Sequence, residues 1–335
     1  MSQVQHCARW LHSTIPQPSR AAWAVLAIVT VVDVIWSARG GFTIVSGSVS
    51  NLMLGAFASA MMLGFILYGR GRKDLEGLVA WASTALFAIP FSIAVVVLSY
   101  LAASVSMPLV DDQLAAFDQA LGFDWIRLLQ FVNTHAFFGT LTSAIYNTAF
   151  PELALLFLFL AFTKQTSELR ELVDVYWSTL LLTVALSALF PALGPYGYYA
   201  PSPDMMPVVQ PTAGMVFLPD YLALRAGTYH AFNFGEMQGI IEFPSFHAAL
   251  IVMMTWSMRR SPYLLAVGCL YNGLMLLATL TEGGHYLADV VVGSVLVAMT
   301  ITARHGLTRW LALRPSKAIQ AAPATGALQA LRGFD

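Results

Sequence analysis

Two short stretches decide how this chain is read: Glu242-Phe243-Pro244-Ser245-Phe246-His247-Ala248-Ala249 and Glu282-Gly283-Gly284-His285-Tyr286-Leu287-Ala288-Asp289. Each sets a histidine at the mouth of a long apolar run, where a helix is expected to begin. Working outward from them, nearly everything else reads as membrane scaffold that brings the two mouths together.

Of the 335 residues, 58% are hydrophobic and only 10% charged, and the mean hydropathy is +0.68. A soluble domain carries about 25% charged residues. The composition therefore predicts an all-α, polytopic membrane protein with one helical domain. A net charge of −1 gives no bulk attraction to nucleic acid. Cys7 and Cys269 lie in an N-terminal tail and inside an apolar run, so neither a disulfide nor a cysteine metal site is expected. Residues 1–20 hold Arg9, Pro16, Pro18 and Arg20 and no small-residue cleavage site after an apolar core, which predicts a cytoplasmic tail leading into an uncleaved first span.

Eight apolar spans are expected, over 21–38, 51–68, 78–103, 141–162, 172–189, 245–258, 263–280 and 285–303. Asp33 interrupts the first, close enough to its end to reach the interface, and Pro90 predicts a kink in the third. Residues 107–140 interleave Asp111, Asp112, Asp118 and Asp124 with Leu114, Phe117, Leu121 and Phe123. That pattern predicts amphipathic helices on the membrane surface, their acids forming a solvated face and helix caps. Asn147, Pro151 and Glu152 inside the fourth span predict a helix facing other helices or a cavity. The stretch 191–241, rich in Pro, Gly and Tyr, is a long loop whose aromatics argue against disorder. Its Tyr196, Tyr198 and Tyr199 read as an interfacial belt, with stacking on a sugar-like ring as the alternative. The tail after Arg314 reads as disordered.

With the N-terminus inside, fourteen of the seventeen basic residues fall on the cytoplasmic side and three, Arg39, Arg127 and Arg225, fall outside. Both histidine motifs, the long loop and the acidic segment then share the external face. There, His285 and Asp289 are four residues apart and share a helix face. A carboxylate beside an imidazole fixes its tautomer and leaves the other nitrogen free to attack. Gly283 and Gly284 allow close approach of a substrate to the backbone. Ser245 caps the sixth helix, whose first N–H groups attract an anion such as phosphate, and His247 in that first turn can protonate a leaving oxygen. The set suits phosphoryl transfer through a phosphohistidine. Two other readings stand beside it. The histidines are interfacial residues bonded to loop carbonyls, or Glu242, His247, Glu282, His285 and Asp289 supply metal ligands.

Pro244-Ser245-Phe246-His247 resembles the Pro-Ser-x-His motif of the type-2 phosphatidic acid phosphatase superfamily, and His285-Tyr286-Leu287-Ala288-Asp289 resembles its His-x3-Asp motif, with one helical hairpin between them. The wording of both motifs and the upstream Pro191-to-Tyr196 segment look most like the branch holding inositol phosphorylceramide synthases and related bacterial proteins. The resemblance implies a metal-independent and cofactor-free membrane enzyme of lipid phosphates, with a six-helix core. It implies His285 as nucleophile, Asp289 as its partner, His247 as acid, and Ser245 and Gly284 at the phosphate. Two basic motif elements of the family have no recognisable counterpart: the Lys and Arg-Pro motif is missing, and Thr279 replaces the usual Arg six residues before the nucleophile. A phosphate away from water needs a cation, and Arg225, in the loop nearest the motifs, is the expected clamp.

The expectation is thus a lipid phosphatase or phosphotransferase in a bacterial inner membrane, its site facing the periplasm. Residues 1–20 and 304–335 are tails, 21–140 hold the N-terminal helices and external segment, and 141–303 form the catalytic core. Its partners are a lipid phosphate, membrane lipids and an alcohol or sugar-type acceptor, with no nucleic acid. A non-catalytic lipid-binding or transport protein on the same fold and a metal-dependent membrane hydrolase are the alternatives.

Overall fold

A computed structural model describes residues 18–209 and 212–313. The expected tails over 1–17 and 314–335, with Cys7, lie outside the described residues. The protein is an all-α integral membrane protein. The long helices are α1 (Arg20–Gly40), α2 (Ser46–Gly69) and α3 (Glu76–Ala103). Two short helices follow, α4 (Asp111–Ala120) and α5 (Trp125–Thr134), then α6 (Ala136–Tyr146), α7 (Ala149–Phe162) and α8 (Thr166–Leu189). The long loop carries α9 (Gly194–Tyr199), α10 (Thr212–Val216) and α11 (Leu218–Arg225). The chain closes with α12 (Phe246–Ser257), α13 (Pro262–Thr281) and α14 (Leu287–Leu313).

Among the described residues, six helices are long and apolar enough to cross a membrane. A seventh crossing is formed if α6 and α7, bent by 46° at their junction, are taken as one span. The expected straight fourth span is therefore broken. Pro151 has no N–H and its ring crowds the carbonyl of Asn147, four residues back, so the helix restarts there. The expected sixth span is α12, whose 12 residues cover only about 18 Å of a hydrocarbon layer about 30 Å thick. Pro90 stays inside the continuous α3, and α14 continues through Arg304 to Leu313, past the expected start of the tail at 304.

The core lies where α3, α7, α8 and α12 meet, with Phe87, Phe91, Leu160, Leu172, Leu250 and Met254 buried together. By contrast α2 turns Met53, Leu54, Phe57 and Met61 outward. Ala22, Val29 and Asp33 lie on one face of α1 and are its buried residues. Asp33 therefore points into the protein instead of reaching the interface, because it falls on the face of α1 that packs into the core. At the end of the bundle away from the two motifs, acids of α8 hold basic residues of its neighbours. Glu171 accepts from Trp256, Arg259 and His305, Asp174 pairs with Arg304, and Glu168 pairs with Arg260.

The opposite end is built from loops tied by buried polar bonds. Asp111 accepts from the N–H groups of Leu193 and Gly194 and from the Tyr286 hydroxyl, and Asp118 accepts from the N–H groups of Leu287 and Ala288. Both carboxylates are buried. The expected solvated face is therefore only half right. Asp124 caps α5 through the Arg127 N–H, and Asp112 accepts from the exposed Tyr198 hydroxyl. Asp111 and Asp118 turn inward because those loop and helix-start N–H groups need acceptors. The tyrosine belt is likewise corrected at Tyr196. It is buried, its hydroxyl donates to Thr281 O at 2.7 Å, and its ring meets Trp125 edge-on at 4.8 Å. Across the loop, Thr43–Ile44 (β1) pairs in parallel with Ala231–Phe232 (β2), and the Ser48 hydroxyl donates to Asn233 and accepts from the Phe234 N–H. The α1–α2 connection thus grips the long loop.

Asp118→Ala leaves two N–H groups at the start of α14 without their carboxylate. Each charge-assisted bond contributes about 1.5–3 kcal/mol. Asp118→Ala is expected to lower the apparent melting temperature in detergent by several degrees, and Asp118→Asn, which keeps an acceptor, by less. A thermal-shift measurement checks the order.

Candidate active site

The two motifs meet through the backbone. The Ser245 N–H donates to Asp289 O at 3.1 Å, and the Ser245 hydroxyl accepts from the Ala248 N–H at 3.2 Å, the expected cap of α12. Gly293, one turn into α14, makes this approach possible, since a Cβ there would stand 2.2 Å from Ser245 O. Ser245 itself is fully buried, with its hydroxyl oxygen accepting the cap bond.

His285 precedes α14 instead of lying on it, and Asp289 in the first turn reaches back. Asp289 Oδ2 lies 3.4 Å from His285 Nδ1 and accepts the Tyr286 N–H at 2.8 Å. The expected pairing is present, but through a loop-to-first-turn geometry. A second carboxylate stands at the same nitrogen, with Glu242 Oε1 3.3 Å from Nδ1. His285, Asp289 and Glu242 are all buried. Burial pushes the His285 imidazole down to about 4, opposed by a hydrogen bond to the Glu242 backbone, so the ring is neutral at pH 7.

Beside these groups lies a cavity of about 330 Å³. His247, His285, Glu242 and Gly283 form its polar end. Tyr146 and Asn147, at the break between α6 and α7, and Phe150 form one wall, and Ser92, Val95, Val96 and Ser99 of α3 form another. His247 stacks on Tyr146 with centroids 4.8 Å apart, and its Nδ1 lies 3.5 Å from the Tyr146 hydroxyl. The structure thus brings His247, His285 and Asp289 together. Asn147, read from the sequence as facing helices or a cavity, lines this one.

Other expected site residues stand apart. Gly283 lines the cavity, whereas Gly284 adopts φ +70° and packs so closely on Tyr196 that a Cβ would come within 2.6 Å of its ring. Arg225 donates to Met107 O at 2.9 Å and lies over the Tyr221 ring at 5.7 Å, and it does not line the cavity. No lysine or arginine is among the residues lining it. Thr279, in the place of the family Arg, is buried with its hydroxyl on Leu276 O. Sequence reasoning missed Glu242 as a partner of His285, and missed the α3 wall. Glu242 stood in the sequence only as one of the candidate metal ligands, and Ser92 and Ser99 carried no signal.

A divalent ion could be spanned by Glu242, His285 and Asp289, whose donor atoms fall within 4.8 Å of one another. Glu282 is not in that group. It accepts from the Ser143 hydroxyl, and burial raises its carboxyl above the usual range.

Gly293→Ala drives a methyl into the Ser245 carbonyl. It is expected to cost about 1–3 kcal/mol as overpacking against unyielding backbone, read as a lower melting temperature in detergent than for Gly306→Ala, where a Cβ meets nothing.

Comparison with known proteins agrees with the motifs. No curated protein and no solved structure matches the chain. A family model described as the PAP2 superfamily matches residues 112–303, more than half of the chain and both histidine motifs. The chain belongs to the PAP2 superfamily.

Proposed function

We propose that this protein is a lipid phosphatase or headgroup phosphotransferase that works through a phosphohistidine on His285. The observation that carries the reading is a single cavity faced by both His247 and His285, with Asp289 on His285 Nδ1. Asp289 holds the proton on Nδ1, which leaves Nε2 with its lone pair. Nε2 attacks phosphorus, the bond from phosphorus to the leaving oxygen breaks, and His247 gives that oxygen a proton. Asp289 then offsets the positive charge on the phosphorylated ring. Water or an alcohol next attacks phosphorus, the N–P bond breaks, and His247 takes the proton back. Water makes the protein a phosphatase, and an alcohol makes it a transferase. The wording of the motifs supports the inositol phosphorylceramide synthase-like branch, and with it transfer to an alcohol. With Tyr196 buried as a loop anchor and Tyr199 stacked on Trp125, Tyr198 remains for any ring stacking.

The apolar wall of Val95, Val96, Leu180 and Phe217 suits a lipid chain beside the polar end. Arg225 is the cation we assign to the phosphate, working from the end of α11 beside Tyr221. The positive-inside bias supports an outward-facing site. The carboxylate pair on His285 supports a second reading, a divalent-ion hydrolase.

In detergent with EDTA, wild-type protein is expected to turn over a lipid from a panel holding phosphatidic acid and phosphatidylinositol, followed by both free phosphate and exchanged lipid. His285→Ala is expected to lower kcat by about three orders of magnitude or more, and Arg225→Ala to raise KM or lower kcat more than Arg225→Lys. Loss of activity in EDTA with recovery on adding a divalent ion sinks the phosphohistidine reading in favour of the second. The sign of the pH dependence follows from the depressed imidazole. Attack needs neutral His285, so the loss of activity on acidification is expected only as pH drops through about 4, below the ordinary imidazole value of about 6.5, whereas the acid step needs protonated His247, so activity is expected to decline as pH rises and that ring loses its proton. A pH profile of kcat/KM measures it.

A further inference from the structure

The proposed chemistry leaves one wall group unused. Glu242 is buried, ends the long loop just ahead of Phe243, and lines the cavity. Its Oε1 lies 3.3 Å from His285 Nδ1, the nitrogen that Asp289 Oδ2 already holds at 3.4 Å. The fold makes room for this side chain. Gly194 adopts φ +75°, a Cβ there would stand 2.4 Å from Glu242 Oε1, and the Gly194 N–H is fixed by Asp111. The charged and titratable groups around Glu242 are Asp289 on α14, Asp111 on α4, Tyr146 on α6, Tyr221 on α11 and His285. None is a lysine or arginine.

We propose that Glu242 is a positioning residue for His285, which brackets Nδ1 together with Asp289 and keeps Nε2 turned into the cavity. Its catalytic consequence rests on the phosphohistidine reading. Its geometry does not.

The test compares full-length wild type with Glu242→Gln and Glu242→Ala in detergent with EDTA. Nitrogen-15 NMR of histidine-labelled protein, with the His285 signals assigned through His285→Ala, reads the tautomer without any turnover. Glutamine keeps the length of the side chain and an oxygen at the same place, so Glu242→Gln is expected to keep one tautomer with the proton on Nδ1. Glu242→Ala is expected to give a mixture. With phosphatidic acid and phosphatidylinositol in mixed micelles as probes, kcat is expected within about threefold of wild type for Glu242→Gln. For Glu242→Ala it is expected to fall roughly ten- to a hundredfold with KM little changed, the pattern of a misplaced nucleophile. A glutamine variant as impaired as the alanine one overturns the proposal, because the charge would then be what matters, as in a cation site. A single tautomer in Glu242→Ala also overturns it. If wild type turns over neither probe, the functional reading loses its support while the NMR result still decides the role of Glu242.

Discussion

One hydrogen bond between two backbones fixes the geometry on which the site depends. The Ser245 N–H reaches Asp289 O across the start of two helices, and it can do so only because residue 293 has no side chain. The bond joins the loop that ends in Glu242 to the helix that begins after His285. Everything polar at this end is arranged around that junction. The Ser245 hydroxyl oxygen accepts the cap bond of α12, so the serine of the first motif is a structural cap first. His247, two residues on, then enters the cavity from a helix whose start cannot slide relative to Asp289.

The two acids of α4 extend this logic. Helix starts and tight loops leave N–H groups that must find acceptors, and here a surface helix supplies them. Asp118 takes the N–H groups of Leu287 and Ala288, and Asp111 takes those of Leu193 and Gly194 together with the Tyr286 hydroxyl. Burial raises both carboxyls, and the donated N–H groups pull them back.

What could be read in the sequence, and what could not, divides along the range of the interactions. Periodicity and hydropathy carry local information, so the apolar runs, the Ser245 cap and the meeting of His247, His285 and Asp289 were legible. The bend at Asn147 was not legible, because Pro151 was read with Asn147 and Glu152 only as a sign of a helix facing other helices or a cavity. The burial of Asp111 and Asp118 was not, since an acid every few residues on an amphipathic helix looks the same whether it meets water or a loop from 82 or 169 residues away. Glu242 was legible only as a candidate metal ligand beside His285 and Asp289, because its contact with Nδ1 depends on the loop closing over Gly194. The contacts of Arg225, expected at the phosphate from its place in the loop, were not legible either: its guanidinium donates to Met107 O and lies over the Tyr221 ring.

The cavity draws its walls from both sides of the family boundary. The segment matched to the PAP2 superfamily begins at residue 112, yet Ser92, Val95, Val96 and Ser99 of α3 line the cavity, and β1 and Ser48 hold the loop that brings Gln238 and Gly239 to it. The histidines and their acids sit on the matched side. A division of labour follows from this placement. Changes in α3 alter the space beside the histidines without touching the bond from Ser245 to Asp289, whereas changes at Gly293 or Asp118 move the histidines themselves. In the proposed function, lipid selectivity is then adjustable from the N-terminal helices while the reacting groups keep their positions.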